Sequence, residues 1–131
     1  MAKYVYPAVF IEEDGLYNVS FPDISGCATC GNDLAHAMEM AADSLALMLC
    51  EMEDCREMIP EPTPLKKVSA KGKAFVSYVV ADTLEYRKKN NNKAVKRTVS
   101  LPQWLDIIAT AQNINFSQTL QNALKAELHI L

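Results

Sequence analysis

The last 36 residues of the chain are too few to fold alone, and this restricts what the chain can become. Polar and apolar residues alternate from Lys96 to Leu101, which predicts a β-strand, and Pro102 follows where a helix can begin. Segments below about 40 residues rarely bury enough apolar surface, and a lone strand leaves its backbone edge unpaired. We therefore predict that residues 95–131 form a homodimer through a ribbon of two identical strands, one from each chain.

Two helices are predicted after this strand, each with an apolar face. Asn113 suits the left-handed end of the first helix, Asn115 suits the cap of the second, and Gln118 would complete a capping-box-like pair with Asn115. The apolar faces have helical spacing and comprise Leu105, Ile108 and Ala109, with Trp104 and Ala111 beside them, and then Phe116, Leu120, Ala123, Leu124 and Leu128.

The first part of the chain predicts a different fold. Strands are expected at residues 3–11 and 16–21, joined by a turn at Gly15, with a short third strand at 27–29. A helix should begin after Asp33 and end before the prolines at 60, 62 and 64, because its apolar stripe recurs at spacings of four and three. Residues 75–81 form a last β-rich run. This ββ(β)αβ order predicts an α+β domain with a helix on one face of a sheet.

A polar, basic stretch separates these two regions. Residues 82–94 show no apolar repeat, so we expect a linker between a domain at 1–81 and one at 95–131, with a helical turn before it as an alternative for its first residues. Residues 1–59 contain 11 acidic and 2 basic residues, a net charge of −9, whereas residues 60–131 contain 5 acidic and 11 basic residues, a net charge of +6. This asymmetry indicates two parts with different partners, the second of them attracted to nucleic acid.

The C-terminal pattern resembles a known family. The run Lys-Arg-Thr-Val-Ser-Leu-Pro at 96–102, followed by two capped helices, resembles the Arc/MetJ ribbon-helix-helix proteins. The resemblance implies a β-α-α dimerisation domain whose ribbon reads operator DNA in the major groove. It implies base contacts from Lys96, Thr98 and Ser100, and phosphate contacts from the start of the second helix at Asn115, Phe116 and Ser117. Arg97 departs from the usual apolar residue, and we expect its charged end to reach solvent or phosphate.

The first half resembles a second family. Tyr6-Pro7-Ala8-Val9, the run from Gly15 to Asp23, Gly26-Cys27 and Pro60-Glu61-Pro62 resemble the HicB antitoxins. The resemblance implies a partial ribonuclease-H-like N-terminal domain, a DNA-binding C-terminal domain, and binding of a HicA-like toxin that cleaves mRNA. It also implies repression of the chain's own operon. Within this domain we expect the toxin to contact the loop at Phe21, Asp23 and Ile24, which combines apolar anchors with an acid.

Other chemistry is less consistent with the sequence. Cys27, Cys30, Cys50 and Cys55 match no common zinc-finger spacing, so we expect reduced thiols, with zinc and disulfides as alternatives. The predicted strands at 3–11 and 16–21 carry no inward carboxylates for a metal-dependent nuclease, and we expect no catalytic residue, metal or cofactor. No leader or membrane span is apparent, which favours a cytoplasmic protein. The alternative function is a stand-alone ribbon-helix-helix repressor whose N-terminal domain senses a ligand or oligomerises.

Overall fold

The structure, a computed structural model, describes residues 2–130 and contains two compact units, residues 1–93 and 94–131. Within residues 2–130, no helix is long and apolar enough to cross a membrane.

The first unit is built on a four-stranded antiparallel sheet. The strands are β1 (Lys3–Glu13), β2 (Leu16–Ser20), β3 (Ala28–Gly31) and β4 (Phe75–Asp82), and their order across the sheet is β3-β2-β1-β4. Asp14 and Gly15 make the tight turn between β1 and β2 with φ angles of 51° and 80°. The larger positive angle falls on Gly15, and glycine adopts such angles without strain. The expected mixture of helix and sheet is confirmed, and the strands and the helix follow one another along the chain as predicted, with β3 at 28–31 rather than 27–29.

A long helix covers one face of this sheet. Helix α1 (Leu34–Asp54) begins where expected, since the side chain of Asp33 accepts a hydrogen bond of 2.8 Å from the amide of His36. Its apolar stripe packs on the strands around Tyr6, Phe10 and Leu45, each at most 1% exposed. This core lies entirely within the first unit, which can therefore bury its own apolar surface.

Within residues 2–93, no helix packs on the other face of the sheet. Successive residues of a strand point to opposite faces, so the residues next to the buried positions Tyr6 and Val79 point away from α1. We call this the open face, and its exposed apolar side chains include Val5, Ile11, Leu16, Tyr78 and Val80. The segment after α1 ends in a short 3-10 turn (Leu65–Lys67) near β4.

The stretch expected to be a linker contains a helix, and this corrects the sequence interpretation. Helix α2 (Thr83–Asn90) follows β4 directly, begins with a cap from Asp82 to the amide of Glu85, and contacts α1. Its side chains form no apolar repeat. The helix is held instead by Thr83, which is fully buried, and by Arg87, which reaches α1. The first unit therefore extends to residue 93 rather than 81.

The second unit contains two helices and no assigned strand within its described residues. Helix α3 (Gln103–Ala111) begins after Pro102, which occupies the capping position rather than the first helical one. Helix α4 (Phe116–Glu127) follows a turn in which Asn113 has the expected left-handed φ of 55°. Residues 91–102 have no regular secondary structure apart from a bend at Asn91, so the predicted strand at 96–101 stays a prediction that one chain cannot test.

Candidate functional site

The second unit has no core of its own. From residue 94 to residue 130 every side chain is exposed except those of Ala109 and Ile130, which are partly buried. The exposed apolar side chains of α3 and α4 keep the spacing predicted for their apolar faces, and they include Trp104, Leu105, Ile108, Phe116, Leu120, Leu124 and Leu128. An apolar patch of this kind marks a surface that a partner covers.

The segment expected to read DNA lies directly before α3. Lys96, Thr98 and Ser100 are all exposed, and so are Arg97 and the apolar pair Val99 and Leu101. Val99 is 56% exposed, although the alternation predicted for this strand places it on the face that a paired ribbon would bury. The structure of one chain thus leaves the donor groups of this segment accessible and its apolar positions without cover.

The start of α4 has the geometry of an anion-binding helix end. The side chain of Asn115 accepts a hydrogen bond of 3.0 Å from the amide of Gln118, so the predicted cap is present. The first amide that bonds back to Asn115 within the helix belongs to Thr119. The amides of Phe116 and Ser117 precede it, where helix donors have no intrahelical acceptor. The side chain of Gln118 bonds Asn122 rather than returning to Asn115, so the reciprocal half of the expected capping box is absent.

The charge does not divide between the units as the sequence suggested. Residues 1–93 contain 14 acidic and 10 basic residues, a net charge of −4, whereas residues 94–131 contain 2 acidic and 3 basic residues, a net charge of +1. Most of the basic excess counted after residue 59 lies in the segment at 66–73 and in α2, both in the first unit. Net charge alone therefore predicts only weak attraction of the second unit to nucleic acid.

The loop chosen as the toxin contact is part of the first unit's core. Phe21 and Ile24 are 4% and 3% exposed, so they cannot serve as anchors for a partner without opening the fold. Asp23 is also engaged, because its carboxylate accepts hydrogen bonds from the amide and the hydroxyl of Thr63. This arrangement argues against the expected contact. The loop instead holds the proline-rich segment against the sheet, together with the hydrogen bond that the Tyr6 hydroxyl donates to the Pro60 carbonyl.

A polar network that the sequence did not reveal joins α2 to the rest of the first unit. The Glu53 carboxylate accepts hydrogen bonds from the hydroxyls of Tyr4 and Thr83, at 2.8 and 3.1 Å. It also forms an ion pair of 3.1 Å with Arg87. Arg87 also contacts Asp54 at 3.0 Å and the carbonyl of Cys50 at 3.2 Å. Burial alone would raise the pKa of Glu53, but the hydrogen bonds to its carboxylate outweigh that cost and lower the pKa to about 2. Burial of Tyr4 and its hydrogen bond to the Glu53 carboxylate raise the pKa of Tyr4 to about 12.

The four cysteines do not form a site in the described part of the chain. Cys27 and Cys50 are buried, whereas Cys30 and Cys55 are exposed, and all four are free thiols. Burial raises the pKa of both buried thiols. Within residues 2–130 no group of three or more histidine, cysteine, aspartate or glutamate side chains is arranged to hold a metal ion.

The chain folds as two units, and comparisons with known proteins give its class. The model of the HicB-like antitoxins of bacterial toxin-antitoxin systems matches residues 6–124. The chain belongs to this HicB-like antitoxin family. It is 29% identical to Antitoxin HicB 2 of Photorhabdus laumondii, over 92% of this chain and 88% of that one.

Solved structures show the same fold. A toxin-antitoxin complex from Streptococcus pneumoniae contains a chain with a TM-score of 0.63 and 26% identity, covering 95% of this chain and 99% of that one. The antitoxin HicB of Burkholderia pseudomallei has a TM-score of 0.54 and 19% identity, covering 92% of this chain and 96% of that one. A chain of the HicA3 and HicB3 toxin-antitoxin complex has a TM-score of 0.52 and 20% identity, and covers 60% of this chain and 99% of that one.

Proposed function

We propose that this antitoxin binds a HicA-like mRNA-cleaving toxin through its first unit and represses its own operon through its second. Under this proposal the second unit is a ribbon-helix-helix dimer in which residues 96–101 of two chains pair as antiparallel strands. The observation that carries the dimer is the lack of a core in residues 94–130, where two helices leave their apolar faces exposed. A second copy would cover both faces and pair the segment that has no partner in one chain.

DNA reading would then follow from the alternation along the ribbon. Lys96, Thr98 and Ser100 would share the outward face, where lysine donates to guanine and the hydroxyls reach base edges. The free amides at Phe116 and Ser117 would bind the phosphate backbone at a helix N-terminus. Because the unit carries a net charge of only +1, we expect specificity to depend strongly on these few groups.

The DNA-reading face is tested by Lys96→Ala and Thr98→Ala. Each should weaken binding to the operator by about 1–3 kcal/mol, since each would remove a base contact, and each should leave folding intact because both side chains are exposed. The measurement is a titration of the operator duplex at fixed salt concentration. Lys125→Ala, in the last turn of α4, is the matched control for loss of one positive charge. Unchanged operator binding by the Lys96 and Thr98 variants would exclude this face.

For the toxin, the exposed side of α1 replaces the buried loop as the candidate surface. Glu39, Asp43, Leu47 and Glu51 are four residues apart and therefore lie along one side of the helix, and all four are exposed. We call this set the acidic stripe. No ion pair within residues 2–130 involves its three acids, and Leu47, 44% exposed, gives it an apolar centre. A toxin that grips RNA must present positive charge, so the stripe offers both a complementary field and an anchor.

The acidic stripe is tested by the double substitution Glu39→Lys with Glu51→Lys. Association with the adjacent gene's toxin should slow about tenfold or more, with a weaker salt dependence, because the favourable field is reversed. Glu12→Lys with Glu13→Lys, near the β1–β2 turn, changes the net charge equally and should have a smaller effect. Equal slowing in both variants would show that only the overall charge matters, and no slowing in either would remove α1 from the interface.

The division of labour between the units has its own test. Residues 1–93 should bind the toxin by calorimetry without binding the operator, whereas residues 94–131 should bind the operator alone. A fragment ending at residue 81 is unsuitable, because it removes α2 with Thr83 and Arg87. Toxin binding by residues 94–131 only would reverse the proposal, and a first unit that binds no toxin would favour the stand-alone repressor.

A further inference from the structure

The boundary between the two units cuts through a run of basic residues. From residue 87 to residue 97 the chain contains six lysines and arginines and no acid, and we call this segment the basic run. Only Lys96 and Arg97 of the run fall in the second unit, because the first unit extends to residue 93. The net charge of the second unit therefore leaves out four cations that lie within nine positions of Lys96.

Two of these four cations are free to meet an anion. Arg87 and Lys88 are engaged in ion pairs within the first unit, at distances of 3.0, 3.1 and 3.3 Å. Lys89 and Lys93 are exposed, and no ion pair between residues 2 and 130 involves either side chain. A lysine in the last turn of a helix stabilises the helix end, which accounts for Lys89. Lys93 lies beyond the end of α2, so helix stabilisation does not account for it.

We propose that Lys89 and Lys93 bind the phosphate backbone of DNA beside the segment that reads its bases. This inference rests on the proposed ribbon, and it makes residues of the first unit contributors to operator affinity. An extended chain keeps Lys93 at most about 11 Å from Lys96, and Lys89 at most about 25 Å from it. Duplex DNA carries one negative charge for about every 1.7 Å of its axis, so phosphates lie within this reach. The strands of an antiparallel ribbon begin at opposite ends, so a dimer would present one such pair of lysines at each end.

The chemistry of the basic run favours nucleic acid over a protein partner. Residues 87–93 contain no apolar side chain, whereas the centres of protein interfaces are depleted of lysine and enriched in aromatic residues. A toxin that grips RNA would present positive charge and would be repelled by the run. Phosphate oxygens accept hydrogen bonds from lysine and asparagine alike, and Asn91 and Asn92 are exposed between the two lysines. Such contacts add affinity and salt dependence but carry no information about base sequence.

The double substitution Lys89→Ala with Lys93→Ala in the full chain tests this contact, with Lys71→Ala with Lys73→Ala as its control. Both variants remove two positive charges from exposed positions of the first unit, but Lys73 is 23 positions before Lys96. The probe is a duplex of the DNA upstream of the chain's own gene, titrated at several salt concentrations. A dimer would lose four phosphate contacts, so the plot of log K against log salt concentration should become shallower by about 3–4. The control should keep the native slope, and an equal change in the control would overturn the proposal in favour of net charge.

Sequence preference separates this contact from the proposed reading of bases. The Lys89 and Lys93 double variant should lose affinity for the upstream duplex and for a random-sequence duplex by the same factor, whereas Lys96→Ala should lower the preference between the two. Lys89→Arg with Lys93→Arg should keep the native slope, because arginine also binds phosphate. A native slope in the alanine double variant, together with a lowered preference in Lys96→Ala, would overturn this inference and leave the base-reading face in place. An unchanged preference in Lys96→Ala would instead exclude that face.

Discussion

Val99→Asp should abolish dimerisation of the second unit. In one chain Val99 is 56% exposed, so a carboxylate there would cost little if the unit were complete as it stands. In a paired ribbon the same position faces the partner, and each chain would bury an unpaired charge at a cost of several kcal/mol. The effect of this substitution therefore separates the two cases sharply.

Trp104 offers a local measurement of this effect. It is the only tryptophan of the chain, it lies in α3, and it is 63% exposed in the single chain. We expect its emission to shift to longer wavelength on dilution of the native protein, and to be shifted at all concentrations in Val99→Asp. Lys96→Ala should behave as the native protein does, because its side chain faces outward in the proposed ribbon. Normal dimers of Val99→Asp would exclude the ribbon as the contact.

Glu53→Gln should lower the free energy of unfolding of the first unit by about 2–3 kcal/mol near neutral pH. The Glu53 side chain is 11% exposed, and its carboxylate is bonded by Tyr4, Thr83 and Arg87, so a neutral amide weakens all three interactions. The estimate corresponds to the displacement of the Glu53 pKa from 4.5 to about 2, at about 1.4 kcal/mol for each pH unit and reduced for residual solvent access. Glu51→Gln, two residues away and exposed, is the matched control and should change stability little.

The pH dependence of the unfolding free energy gives an independent test of the contribution of Glu53. The folded pKa of Glu53 lies below the unfolded one, so its stabilisation is fully present above about pH 5 and is lost as the pH falls toward 2. Urea unfolding of the native chain and of Glu53→Gln should therefore differ most at neutral pH and converge in acid. A difference that stays constant from pH 6 to pH 3 would show that the charge of Glu53 is not what stabilises α2.

This network also bears on how the two units are joined. Because Arg87 ties α2 to α1, the helix belongs to the first unit, and only the segment from Asn91 to Pro102 separates it from α3. Loss of the ion pair should free α2 and lengthen the connection. Binding of toxin and binding of operator are thus expected to be most independent in variants that release this helix.

Several local elements could be predicted because their determinants lie close together in the sequence. The apolar stripe and the Asp33 cap set α1, Gly15 sets the turn after β1, and Asn113 and Asn115 set the passage from α3 to α4. Each depends on residues within about one turn of one another, so side-chain type and spacing were sufficient. The missing core of the second unit could also be foreseen from its length.

Other features were decided by contacts between residues far apart in the chain. Helix α2 has no apolar repeat and depends on Arg87 reaching Glu53, 34 positions earlier, so its sequence alone predicted a linker. Phe21 and Ile24 lie in the loop that the sequence offered as a toxin contact, yet they are buried in the core of the first unit. The sequence by itself determined where most helices and strands begin and that the C-terminal segment is too short to bury much apolar surface alone. Only the tertiary structure decided which unit holds the basic residues and which side of α1 stays exposed, because these depend on long-range packing that local spacing does not encode.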